Sequence, residues 1–268
     1  MIVVAMDTSA AASVAVVERD EATGTETVHA EWTEFGARKH AELLGPALLR
    51  VAEEAGITGE SGPSGNRTSG NDTENGGLAV VAGVGPGPFT GLRAGIATAI
   101  GYAIGRGVPV YGVPSHEALA LRAYSLSTTS QSTPSTAPAA DPLVVATDAR
   151  RKEVYWTAFA GLDEAGLPVV SAGPAVATPA DLAGSGHLGD AASGGSSPRR
   201  YGRGFALYAE VLGAPAEDVP EALEPTAAWL GRVALRRLAA GRPLLDTSPL
   251  YLREADARPS PARPSVFR

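Results

Sequence analysis

Two aspartates come directly after short apolar segments, in turns that lead into a second apolar segment. Asp7 follows residues 2–6, and Asp148 follows residues 143–147. An aspartate in such a turn can help to hold a metal-bound phosphate, or it can hydrogen-bond the backbone of its own turn. The turn after Asp7 contains no glycine, which hinders close approach of a phosphate to the backbone. We therefore favour the structural role for Asp7 and predict that the chain alone binds ATP weakly or not at all.

The turn after Asp148 is strongly basic. Arg150, Arg151 and Lys152 lie one after another in it. Their charge is suited to an anion or to the phosphates of an RNA. The same residues can also fill a cleft or lie in solvent, and we favour this second interpretation. Both alternatives stay open, so the three residues remain candidate contacts to an anion or an RNA.

Residues that ligate metals are sparse in this chain. It has no cysteine, which excludes disulfides and Cys-ligated metals. His116 is followed four residues later by Ala120 rather than by a second histidine, and one histidine does not make a metal site. We predict no catalytic residue, no metal and no cofactor in this chain.

Residues 78–115 predict a strand, a Gly/Pro turn, a long helix and a second strand. We expect the helix over residues 90–106, with Thr90 as its N-cap and Gly107 at its end. The turn lacks the Gly-Lys-Ser/Thr end of a P-loop and the third glycine of a dinucleotide fingerprint. It therefore predicts a structural turn.

The helix over residues 90–106 has an unusually smooth surface, because glycine and alanine recur along it. Each interior glycine costs about 1 kcal/mol relative to alanine, so close packing should offset that cost. Packing inside the subunit is the interpretation we favour. Contact with a helix of another subunit is the alternative.

Length and charge narrow the classes of protein. A chain of 268 residues is long enough for one large or two small domains. Its net charge of −7 disfavours a broad nucleic-acid surface. The start of the sequence lacks the pattern of a secretory signal, and no long apolar segment stands out. We expect a cytoplasmic protein that does not contact a membrane, with loops at 59–77, 125–141 and 184–198 and a tail at 254–268.

Three stretches resemble the bacterial TsaB family, also called YeaZ: residues 2–18, 83–119 and 146–159. The resemblance implies an α/β fold of two ribonuclease-H-like lobes of the actin-like ATPase (ASKHA) superfamily, related by duplication. We expect the lobes at residues 1–107 and 108–253.

The resemblance also implies a function. Members of the family are non-catalytic subunits of the machinery that makes N6-threonylcarbamoyladenosine (t6A) on tRNA. The implied partners are the catalytic subunit TsaD and the ATPase TsaE, with tRNA reached through the complex and a homodimer when the chain is alone. The implied partner surface lies on two helices, at residues 38–55 and 90–106, with the candidates Leu44, Leu48, Arg93, Ala97 and Gly101. The alternative is a metal-dependent glycoprotease-like hydrolase or an ATPase of the same superfamily, against which the lone His116 and the glycine-free turns count.

Overall fold

The computed structural model describes residues 1–36, 40–57, 77–128, 142–189, 197–216 and 223–253. The predicted loops at 59–77 and 125–141 fall mostly outside these residues, residues 190–196 of the predicted loop at 184–198 do so as well, and the predicted tail at 254–268 falls outside them entirely. The described part of 125–141 is helical as far as Thr128, because the helix that begins at Ser115 continues into it.

The first sheet combines an antiparallel meander with two parallel strands. Its order is β3-β2-β1-β4-β5. β1 is antiparallel to β2 and parallel to β4, and β4 is parallel to β5. The strands are β1 (Ile2–Asp7), β2 (Ala12–Arg19), β3 (Glu26–Glu34), β4 (Leu78–Gly83) and β5 (Val110–Val113), and the helices of this part of the chain are α1 (His40–Glu54), α2 (Phe89–Arg106) and α3 (Ser115–Thr128).

The second sheet repeats the first four strands of the first one. Its order is β8-β7-β6-β9, with β6 antiparallel to β7 and parallel to β9. The strands are β6 (Leu143–Asp148), β7 (Val154–Leu162), β8 (Pro168–Ala177) and β9 (Arg199–Tyr201), and the helices are α4 (Pro179–Gly184), α5 (Arg203–Leu207), α6 (Ala209–Leu212) and α7 (Ala227–Ala239). The shared order and directions confirm the predicted α/β fold of two lobes related by duplication.

β1 is buried on both faces because helices cover each side of the first sheet. Its residues alternate as a strand requires. Val4 and Met6 join the core beneath α1 and α2, whereas Val3 and Ala5 join the core beneath α7. Asp7, at the end of this strand, is thereby held in a rigid layer.

Two elements that follow the predicted boundary between residues 107 and 108 belong to the first lobe. β5 lies beyond that boundary yet pairs with β4 of the first sheet. α7 follows the second sheet in the chain but packs on β1 and β2. We therefore use "first lobe" for the first sheet with α1, α2 and α7, and "second lobe" for the second sheet with α4–α6. α3 lies between them and contacts α7, β6 and β7.

Two local predictions concern the ends of α2. The helix begins at Phe89 after Pro88 and has no side-chain cap, so the prediction of Thr90 as N-cap was wrong. Gly107 ends α2 in the left-handed conformation, as predicted.

Among the described residues, no helix is both long enough and apolar enough to cross a membrane.

Candidate functional site

The two aspartate turns meet at a cavity between the lobes, which we call the cleft cavity. It measures about 250 Å³. Ser9, Ala10 and Ala11 of the first turn line one side of it, and Asp148 and Arg150 of the second turn line another. The duplicated fold therefore brings the ends of β1 and β6 to one place.

Asp7 is fully buried beside this cavity, and its carboxylate is engaged within the chain. Oδ1 accepts hydrogen bonds from the Ser9 amide at 2.8 Å and the Ser9 hydroxyl at 2.6 Å. Oδ2 accepts one from the Ser115 hydroxyl at 2.6 Å. A Cβ at position 83 would overlap the carboxylate of Asp7, which explains the glycine at that position. The prediction that Asp7 hydrogen-bonds its own turn is confirmed.

His116 connects α3 to the second lobe. Its Nδ1 lies 2.8 Å from Oγ1 of Thr157, and its Nε2 lies 2.9 Å from Oγ1 of Thr147. Burial lowers the pKa of His116 to about 3, so the imidazole is neutral at ordinary pH. Since the preceding residue, Ser115, bonds to Asp7, one end of α3 joins both lobes.

The described residues contain no group of three or more His, Asp or Glu side chains arranged to hold a metal ion.

The basic turn contributes one of its side chains to the lining of the cleft cavity. Arg150, Arg151 and Lys152 have φ values of 63°, 52° and 64°, a conformation that is uncommon for residues other than glycine. Asp148 accepts the Arg150 amide at 2.7 Å, and its other oxygen lies 3.1 Å from the guanidinium of Arg150. All three residues are exposed, and Arg150 also lines the cleft cavity.

Sequence reasoning missed two further charged residues, Arg203 and Glu224, that line the cleft cavity. Glu224 is 6% exposed, and its Oε1 lies 3.4 Å from Nη1 of Arg203. Burial raises the pKa of Glu224 to about 7. Arg203 opposes this shift, and the charges of Asp148 and Asp7 add to it. Glu224 stands alone before Pro225, outside any motif, so only the folded chain reveals its position.

The predicted partner residues fall into two groups. Arg93, Ala97 and Gly101 are exposed on one face of α2, and a Cβ added at Gly101 would meet no atom within 4 Å. Leu44 and Leu48 are 0% and 4% exposed and belong to the core of the first lobe. Assigning these two leucines to a partner surface was therefore wrong, because the apolar face of α1 packs on its own sheet.

The exposed face of α2 continues beyond the predicted residues. Ile104 on α2 is 76% exposed, and Leu49 on α1 is 68% exposed. α1 and α2 contact each other, and each of them presents apolar surface to solvent. Leu49 therefore replaces Leu44 and Leu48 as the candidate partner residue on α1.

Arg93 is held in position by two aromatic rings. Its Nε donates to the hydroxyl of Tyr251 at 2.7 Å. The guanidinium lies 5.8 Å from the ring centre of Phe89 and 5.5 Å from that of Tyr251, within the range of cation–π attraction. The segment after α7 therefore fixes this side chain at the start of α2.

Comparison with known proteins gives consistent results. Residues 77–206 match the family described as "TsaD: tRNA N6-adenosine threonylcarbamoyltransferase". The uncharacterized protein Rv3421c of Mycobacterium tuberculosis is 34% identical over 258 residues, covering 96% of this chain and 94% of that protein. A crystal structure from Pseudomonas aeruginosa, described as an uncharacterized protein with similarity to peptidase YEAZ, superposes with a TM-score of 0.67 at 27% identity, covering 94% of this chain and 99% of that one. YeaZ from Pseudomonas aeruginosa superposes with a TM-score of 0.63 at 26% identity and the same coverage.

Proposed function

The chain belongs to the TsaB (YeaZ) family, and from that premise we propose that it is a non-catalytic subunit of the machinery that makes t6A on tRNA. In this role it stabilises the catalytic subunit TsaD, cooperates with the ATPase TsaE and reaches tRNA through their complex in the cytoplasm. The likeness to YeaZ and the match of residues 77–206 to the TsaD family support a place in this pathway.

The observation that carries the non-catalytic role is the engagement of Asp7. Both of its carboxylate oxygens accept hydrogen bonds from Ser9 and Ser115, and the side chain has no contact with solvent. An aspartate that served metal-bound phosphate would need an oxygen directed at the ligand. Neutral, buried His116 is likewise occupied by two threonines. These contacts favour a fold whose catalytic positions have become structural.

We assign the partner surface to the exposed face of α2 together with α1. Ala97 and Gly101 leave the axis of α2 accessible, and small residues allow two helices to approach at the lower end of the usual ~8–10 Å spacing. Leu49 and Ile104 supply exposed apolar area, which gains free energy on burial. Arg93, held by its two aromatic neighbours, adds a positioned donor. The same face would serve a homodimer when TsaD is absent.

Exposed Arg151 and Lys152 are the side chains that we assign to contact with an anion or tRNA.

Co-purification of the chain with TsaD, in comparison with variants of α2, tests the proposal. Ala97→Glu and Gly101→Leu should each weaken association by more than ~1 kcal/mol, roughly fivefold, because both enlarge a face that must approach a partner closely. The isolated variants should fold, since neither side chain enters the core. Ala209→Glu, on exposed α6, is the matched control and should bind like the wild type.

Three results would overturn the proposal. The first is unchanged association of both α2 variants, which would remove this face as the partner surface. The second is turnover of Mg-ATP or metal-dependent peptide hydrolysis by the isolated chain, which would restore the enzymatic alternatives. The third is t6A formation by TsaD and TsaE at full rate without this chain, which would remove the pathway role.

A further inference from the structure

The cleft cavity is lined by two acidic and two basic side chains. Asp148 and Glu224 contribute two carboxyl groups, and Arg150 and Arg203 contribute two guanidinium groups. They form two separate pairs, Arg150 with Asp148 at 3.1 Å and Arg203 with Glu224 at 3.4 Å. Acidic and basic side chains thus lie together around one small cavity.

One polar atom of this lining is unsatisfied. Among the described residues, Oε2 of Glu224 has no hydrogen-bond partner, although the side chain is 92% buried. Oε1 has only the contact with Arg203, which at 3.4 Å is long for a hydrogen bond. A buried acceptor without a partner is costly, and nothing in the packing of the described chain offsets that cost.

The guanidinium groups keep donors to spare. Arg203 donates through Nη1 to Glu224, and the side chains of Arg203 and Arg150 are 49% and 75% exposed. Each guanidinium has five N–H groups, so most of them are available to a ligand. The cavity is therefore lined by the carboxyl group of Glu224 on one side and by several donors on the other.

We propose that the cleft cavity is a binding site for a small zwitterion of the α-amino acid class. Its ammonium group would bind to the carboxylate of Glu224, and its carboxylate would bind to the guanidinium groups of Arg203 and Arg150. A carboxylate and an arginine form paired, charge-assisted hydrogen bonds that fix orientation. This site is separate from the partner surface on α1 and α2.

Size and charge distinguish this ligand from a nucleotide. A cavity of about 250 Å³ lies below the ~300–1,000 Å³ of sites for drug-sized ligands. A triphosphate would bring several negative charges to a lining that holds as many acidic as basic side chains. The turn at Arg150 contains no glycine, which hinders close approach of a phosphate to its backbone.

Calorimetric titration of the full chain with three matched probes tests the proposal. L-alanine carries both charged groups, propionate lacks the ammonium group, and ethylamine lacks the carboxylate. We expect alanine to bind at least about tenfold more tightly than either half-ligand, since each lost charged hydrogen bond changes affinity by about that factor. Failure of alanine to bind, or equal binding of propionate or ethylamine, overturns the proposal.

Variants of the lining assign the binding to this cavity. Glu224→Gln should weaken alanine binding at least about tenfold, because the amide replaces an anionic acceptor. Glu210→Gln, on exposed α6, is the matched control and should leave alanine affinity unchanged. Arg203→Gln, at a partly exposed position, removes one of the two guanidinium groups and should also weaken alanine binding, and this variant serves if the Glu224 variant fails to fold. Unchanged alanine binding in the folded variants overturns the proposal. Because this titration uses the isolated chain, its outcome is independent of association with TsaD.

Discussion

Glu224 and His116 are two buried titratable side chains whose pKa values shift in opposite directions for one reason. Burial disfavours the charged form of each group. The charged form of Glu224 is the carboxylate, so its pKa is raised to about 7. The charged form of His116 is the imidazolium, so its pKa is lowered to about 3. The stability of the folded chain should therefore depend on pH through both groups, with opposite signs.

The wild-type chain should lose stability as the pH rises, and the Glu224→Gln variant should not show this loss. Between pH 4.5 and about 7 the folded chain holds a proton on Glu224 that the unfolded chain has released, so the free energy of unfolding falls with rising pH. The groups that face Glu224 are Arg203, Asp148 and Asp7. Relative to the variant, we expect the wild type to lose about 2–3 kcal/mol across this window. Urea unfolding at several pH values measures it. A wild-type profile parallel to that of the variant would contradict the expectation, and Glu210→Gln is the control.

The wild-type chain should also lose stability as the pH falls, and the His116→Gln variant should not show this loss. Below pH 6.5 the unfolded chain takes up a proton that buried His116 does not accept until about pH 3, so the free energy of unfolding falls with falling pH. Glutamine is uncharged and can still donate to one threonine and accept from the other. Between about pH 7 and pH 4, the wild type should lose about 3 kcal/mol relative to the variant. Equal acid sensitivity of the two proteins would refute the assignment. His29→Gln, in an exposed pair with Glu18, is the control.

At the residue scale, the sequence was informative only for local contacts. Asp7 was predicted to bond its own turn because the partner, Ser9, is two residues away. Glu224 was missed because its neighbours, Arg203 and the turn at Asp148, come from distant parts of the chain. Charge alone did not show which residue of the basic turn, here Arg150, lines the cleft cavity.

At the scale of single elements, α2 carries glycines for two different reasons. Gly95 lies against Thr8, whose hydroxyl donates to the Gly91 carbonyl at 2.7 Å. A Cβ at Gly95 would overlap Oγ1 of Thr8, whereas one at Gly101 would meet nothing. The two interpretations of the smooth helix thus apply to opposite faces: internal packing explains Gly95, and Gly101 is available to a partner.

A pair of alanine substitutions in α2 separates these two faces. Gly95→Ala should lower the free energy of unfolding by about 1–3 kcal/mol, because the added methyl group overlaps Thr8. Gly101→Ala should raise it by up to about 1 kcal/mol, because alanine is the better helix former and the site is open. Urea unfolding of both variants measures the difference. Similar effects at the two positions would show that the faces of α2 are wrongly assigned.

Helical spacing predicted that α1 and α2 exist but not which side of each is covered. Leu44 and Leu48 were assigned to a partner because an apolar stripe has the same spacing whether it packs on a sheet or on another subunit. In this chain the apolar stripe of α1 packs on the first sheet and covers its buried face. Leu49, one position further along, points away from that face and is exposed.

At the scale of the whole molecule, the duplication was predictable and the return of α7 was not. The resemblance to the TsaB family already implied two lobes related by duplication. α7 follows the second sheet, so order along the chain suggests that it packs there. It instead closes the first sheet, where Ala227 donates its amide to Ser13 Oγ at 2.9 Å. Arg236 binds both carboxylate oxygens of Glu26 at 2.8 and 3.0 Å.

The position of α7 predicts that a change near the end of the chain destabilises its beginning. Leu230 is fully buried in the core that α7 shares with Val3, Ala5 and Val17. Leu230→Ala should lower the free energy of unfolding by about 2–5 kcal/mol, through lost burial and the cavity left behind. Leu207→Ala, at a position that is 46% exposed, is the control and should cost far less. Amide hydrogen exchange locates the effect, and exchange in the Leu230 variant should quicken more in β1 and β2 than in β6 and β7. Faster exchange confined to the second sheet would show that α7 belongs to that lobe instead.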